Sequence, residues 1–113
     1  MKIIENNVSP GELQTMAKET FGNLVKAVVD VEKQIMAVDA ELHADLEAML
    51  LEKGSQQKDL WGINIYPELT GDDFVEFDSM INLRPSQRNR SRGVEDADIR
   101  KKILVIINKL VRK

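Results

Sequence analysis

The stretch LWGINIY at residues 60–66 constrains the fold more than any other. It lies between two polar, turn-forming runs, KGSQQKD at 53–59 and PELTGDD at 67–73. Its apolar residues alternate, so Trp61, Ile63 and Ile65 share one side of a strand. The next run, FVEFDSMINL, repeats the pattern and places Val75, Phe77, Ser79, Ile81 and Leu83 on one side. Two alternating runs joined by a polar loop predict neighbouring antiparallel strands at 60–66 and 75–83.

Helices are predicted at both ends of the chain. SPGE at 9–12 combines a capping Ser9, Pro10 at the first helical position and Glu12 three residues after the cap. Leu13, Met16, Ala17, Thr20 and Phe21 follow at helical spacing, and Gly22 ends a helix over 10–21. KIIE before it reads as a short edge strand. Asp96 caps a final helix whose apolar stripe is Ile99, Ile103, Ile106 and Leu110, widened by Ile107. Lys109, Arg112 and Lys113 suit its C-terminal end.

Residues 24–52 fit two periods. Val28, Val31, Ile35, Val38, Leu42 and Met49 recur at helical intervals. The valine-dense run LVKAVVDV favours strands, and a period of two also fits. On that reading Val25, Ala27, Val29 and Val31 share a side, as do Met36, Val38, Ala40 and Leu42, and then Leu46, Ala48 and Leu50. The strand reading is the stronger and sets strands at 24–32, 35–43 and 45–52. The whole is then a single α+β domain over 1–113: an antiparallel meander of about five strands, with the N-terminal and C-terminal helices packed on one face.

The chain also resembles a family of short prokaryotic proteins of unknown function. The resemblance is carried by VVDVEKQIMAV, ELHADLEAMLLEKGSQQKDLWGINIYP and FDSMINLRPSQRNRSRGVED, and spans roughly residues 20 to 108. It implies no established activity. In that family a glycine pair often stands where this chain has Asp39 and Ala40, which implies a bend or bulge in a strand there.

Alternation along the predicted strands gives the sheet two unlike faces. The second face collects Lys26, Asp30, Glu32, Asp39, Glu41, His43, Asp45, Glu47, Asn64, Tyr66, Glu76, Asp78 and Asn82, with eight carboxylates against one lysine. An antiparallel sheet can leave such a face to water. Residues 1–83 hold 16 acids and 6 bases, a net of −10, and residues 84–113 hold 3 acids and 10 bases, a net of +7. The loop LRPSQRNRSRGVED at 83–96 carries Arg84, Arg88, Arg90 and Arg92. Three readings stay open for it. It neutralises the acidic face, within the chain or across a homodimer. It holds a small anionic ligand through those arginines with Ser86, Asn89 and Ser91 as further donors. Or it binds nucleic acid, the weakest reading, because the loop has no aromatic side chain for stacking and the rest of the chain is acidic.

His43 is the only histidine. On a strand it would project beside Asp45 and Glu47, which allows a metal-assisted hydrolase with magnesium or manganese. The plainer reading is a hydrogen-bonded histidine on a polar face, with no resident metal and no cofactor. Ser79 lacks the context of a nucleophile. Trp61 belongs to the core and needs an acceptor for its indole N–H. Gly62 marks a close approach of backbone. The absence of cysteine excludes disulfides and thiolate chemistry and fits a reducing cytosol. No run has the ~20 apolar residues of a membrane span, and the first residues do not read as a signal peptide. The functional expectation is a module that binds a small anionic ligand or a partner.

Overall fold

The computed structural model describes residues 1–112. In chain order the elements are β1 (Lys2–Ile4), α1 (Pro10–Glu19), β2 (Val25–Asp30), β3 (Ile35–Val38), α2 (His43–Glu52), β4 (Leu60–Ile65), β5 (Val75–Glu76) and α3 (Ala97–Leu110). The fold is α+β, with one five-stranded antiparallel sheet in the order β1-β3-β2-β4-β5.

That order is not a strict meander. β2–β3 is a hairpin, but β1 and β2 are each antiparallel to β3 and so run parallel to one another, joined through α1. β3 and β4 are each antiparallel to β2 and are joined through α2. The two crossovers step the same way across the sheet from strands of opposite direction. Crossovers of one hand must then put their helices on opposite faces. They do: α1 packs Leu13 and Ala17 on the face of Val25, Ala27, Val29, Met36, Val38, Trp61, Ile63 and Ile65. α2 packs Leu46 and Leu50 on the face of Val28, Ala37 and Leu60.

The end helices form as their residues dictate. At α1 the Ser9 hydroxyl accepts from the Glu12 N–H at 3.1 Å, and the Glu12 carboxylate accepts from the Ser9 N–H at 3.3 Å. The helix stops two residues earlier than expected, at Glu19, and Gly22 at φ +94° closes its end. At α3 the Asp96 carboxylate caps the N–H groups of Asp98 and Ile99, while Ile103, Ile106, Ile107 and Leu110 are buried on the α1 face. Of the basic residues expected at its end, Lys109 lies in the last turn and Arg112 beyond it; Lys113 lies outside the described residues. A bridge between Val8 and Val111 ties the end of α3 to the chain before α1.

Three of the expected strands need correction. Residues 45–52 are helical. HADLEAMLLE is rich in strong helix formers, and His43, Leu46 and Leu50 meet the sheet at intervals of three and four. The strand expected at 35–43 ends at Val38, and Asp39 turns the chain away at φ +74°. This is where glycines were expected in related chains, since glycine adopts that region without strain. The strand expected at 75–83 pairs only at Val75–Glu76, and Met80–Asn82 is a 3-10 turn capped by the Ser79 hydroxyl. The five-strand count survives because β1 joins the sheet beside β3. The N-terminal and C-terminal helices do share a face, but the second face is covered by α2 rather than open and acidic.

Candidate functional site

Residues 82–92 complete the edge of β4. β5 reaches only Asn64 and Ile65, which leaves the earlier part of that edge without a strand. Side chains take its place. The Asn82 amide accepts from the Gly62 N–H at 2.8 Å and donates to the Gly62 carbonyl at 3.0 Å. The Arg84 guanidinium donates to the carbonyls of Gln57 and Leu60, the second at 2.6 Å, and stacks on the Trp61 ring 4.1 Å from its centroid. Asn89 donates to the carbonyls of Asn82, Ser91 and Gly93 and accepts from the Glu95 N–H, which holds the loop shut.

The arginine-rich loop therefore does not gather its guanidinium groups around one ligand. Arg84 and Asn89 are buried and engaged with backbone. Burial pulls the Arg84 guanidinium below its usual pKa, and the charges of Glu47 and Asp59 oppose that shift. Ser86, Arg88 and Arg90 are exposed. Arg92 pairs with Asp78, Nε to Oδ1 at 2.7 Å and Nη2 to Oδ2 at 3.3 Å. The expected eight-carboxylate face is dispersed. Asp30 is buried and accepts from Ser55 and from the N–H groups of Glu32 and Lys33, so it fastens the β2–β3 turn. Glu32, Glu41 and Asp45 are exposed in turns or on α2.

The metal-site residues are likewise separated. On α2, His43 is buried, Asp45 is exposed on another side of the helix, and Glu47 turns inward with Oε2 buried and without a hydrogen bond. Among the described residues no group of three or more His, Cys, Asp or Glu could hold a metal ion. Trp61 is in the core as expected, but its indole N–H has no acceptor.

A small cleft lies at the N-terminal end of α2. It encloses about 190 Å³ and includes Lys26, His43, Asn64, Asp78, Ser79 and Arg92, with Leu42 and Met80 exposed at its rim. β2 and β4 place Lys26 and Asn64 opposite one another. The absence of a side chain at Gly62 lets α2 and the 78–81 segment meet: a Cβ there would lie 2.5 Å from Ser79 Cβ and 3.2 Å from His43 Cδ2. Leu42 occupies the N-cap of α2 and supplies no capping hydrogen bond. His43 Nε2 lies 2.8 Å from the Ile63 carbonyl. A carbonyl only accepts, so Nε2 carries the proton and the neutral ring presents a lone pair at Nδ1. Burial lowers the His43 pKa below 6.5, with Lys26 and Arg92 acting the same way and the Ile63 hydrogen bond and Asp78 opposing. Asn64 donates to Glu76 at 2.8 Å and, more weakly, to the Asp78 carbonyl, while its own Oδ1 is buried without a partner. Sequence alternation put Lys26, His43, Asn64 and Asp78 on one face, but by way of a strand through His43; that the start of a helix, α2, would carry His43 there was not expected.

These features define a small three-layer α+β protein, an antiparallel sheet between helices, with a cleft where a helix starts above the sheet. The chain belongs to the DUF5674 family of proteins of unknown function, which it matches over residues 2–110. No curated protein and no solved structure matches it. No helix among the described residues is long and apolar enough to cross a membrane.

Proposed function

We propose that this protein is a binding module for a small oxyanion, held in the cleft at the start of α2. The observation that carries the reading is convergence. Lys26 from β2 and Arg92 from the loop line the same cleft as a helix N-terminus without a side-chain cap. Such a terminus concentrates unpaired N–H groups and a partial positive charge. Arg92 is the one arginine of the loop that this reading gives to the ligand; Arg84 and Asn89 instead hold the loop in place. The exposed Leu42 and Met80 suit a ligand with an apolar part outside the anion.

Amide NMR titration with inorganic phosphate tests the reading. Saturable shifts are expected at residues 43–45, 64 and 78–81, and Arg92→Gln should weaken binding about tenfold. Shifts confined to residues 85–91 would return the ligand to the exposed part of the loop. No saturable shift anywhere in the millimolar range would overturn the proposal.

A further inference from the structure

We infer that the cleft selects an oxyanion that retains a proton, a phosphate or a small phosphate monoester, over one that carries none. This rests on the oxyanion reading above and deepens it. The cations of the cleft are only part of its lining. Three acceptors accompany them: the Asp78 carboxylate, the His43 Nδ1 lone pair and the Asn64 amide oxygen.

Each acceptor is fixed by what its neighbours do. The hydrogen bond from Nε2 to Ile63 settles which His43 nitrogen donates, so Nδ1 can only accept while the ring is neutral. The Asn64 Nδ2 group is already directed at Glu76 and the Asp78 carbonyl, which leaves Oδ1 on the other side with no donor. Asn64 is only 7% exposed, so bulk water does not readily satisfy it. Asp78 is held by Arg92 at the wall of the cleft.

A fully deprotonated tetrahedral anion would bring only acceptors and negative charge against these groups. Lys26, Arg92 and the α2 terminus would attract it, while Asp78 would repel it, and the acceptors, the buried Asn64 Oδ1 among them, would gain no donor. A phosphate that keeps a proton relieves the conflict by donating it to one of these acceptors. Phosphate monoesters titrate near pH ~6 and so retain a proton in part at neutral pH, whereas sulfate does not. Inorganic phosphate and sulfate share shape and size, so discrimination between those two comes from the proton. A site built around a ligand's donor rejects an analogue lacking it strongly, because the acceptors are then stranded.

Calorimetric titrations of the wild type with inorganic phosphate, methyl phosphate and sodium sulfate at pH 6.5 and constant ionic strength test this. Phosphate should bind at least about tenfold more tightly than sulfate. Binding of methyl phosphate as tight as phosphate assigns a monoester; much weaker binding assigns inorganic phosphate. Asp78→Asn should raise affinity for sulfate and close the gap, a gain that misfolding cannot produce. Equal affinities for phosphate and sulfate in the wild type would overturn the proton inference while leaving the oxyanion site standing. So would a gap unchanged in Asp78→Asn. Failure of all three anions to bind would overturn both.

Discussion

Asn82 stands in for a strand beside Gly62, accepting from its N–H at 2.8 Å and donating to its carbonyl at 3.0 Å. Both residues are buried, so neither backbone group has water to turn to. Asn82→Ala removes both partners at once. It should destabilise the fold by about 2–4 kcal/mol, since each stranded buried group costs about 1–3 kcal/mol. Urea denaturation measures it, and a midpoint within error of the wild type would show that this edge of β4 needs no partner.

Gly62 is tied to Ser79 by space rather than by bonding. Gly62→Ala should be destabilising, because its Cβ would lie 2.5 Å from Ser79 Cβ and 2.6 Å from Ser79 Oγ. The double change Gly62→Ala with Ser79→Gly should recover part of the loss, leaving the 3.2 Å approach to His43. Strict additivity in the double-mutant cycle would argue against the contact.

The arginines should separate into two classes. Arg84→Lys should cost about 1–3 kcal/mol, because an ammonium cannot reproduce the forked contact with Gln57 and Leu60 or the stacking on Trp61. The triple change of Arg88, Arg90 and Arg92 to glutamine should cost only about 0–1 kcal/mol, the usual contribution of an exposed ion pair such as Arg92–Asp78. Comparing the two variants at low and high salt checks the division. The Arg84 loss should persist in salt, since its direct partners are carbonyls and an aromatic ring.

His43 should make stability fall on the acid side. Burial, reinforced by Lys26 and Arg92, holds its folded pKa below the unfolded value of 6.5. The unfolded chain therefore takes up a proton first as pH falls, and the stabilisation present above 6.5 is lost progressively down to the folded pKa. Denaturation midpoints of the wild type and His43→Phe, followed downward from neutral pH, should show a shallower decline in the variant. Parallel curves would mean that His43 is not linked to folding in this window.

The stripe of α3 gives a packing test. Ile103→Ala and Ile106→Ala should each cost about 2–5 kcal/mol, as both side chains lie in the core under the sheet. Val105→Ala, on the exposed side of the same helix, should be nearly silent. Equal effects at all three positions would contradict the docking of α3.

What could be read from residue order was local. The capping box at Ser9 and Glu12, the Asp96 cap and the stripe of α3 are written in neighbours three and four apart. The faces of β2, β3 and β4 are written in neighbours two apart. These patterns need no distant partner, and the structure keeps them all. Residues 43–52 were ambiguous because Leu46 and Leu50, four apart, satisfy both periods. Their helix formers pointed one way, and the valines upstream drew the reading the other. Tertiary structure decided the rest. α2 covers the second face because two crossovers of one hand start from strands of opposite direction. The run at 77–83 leaves the sheet because Asn82 and Arg84 close the β4 edge with side chains. Four arginines in one loop looked like one feature in the sequence. Folding buries Arg84, exposes Arg88 and Arg90 and brings Arg92 to the cleft, because burial depends on which backbone groups across the fold lack partners, and spacing along the chain does not record that.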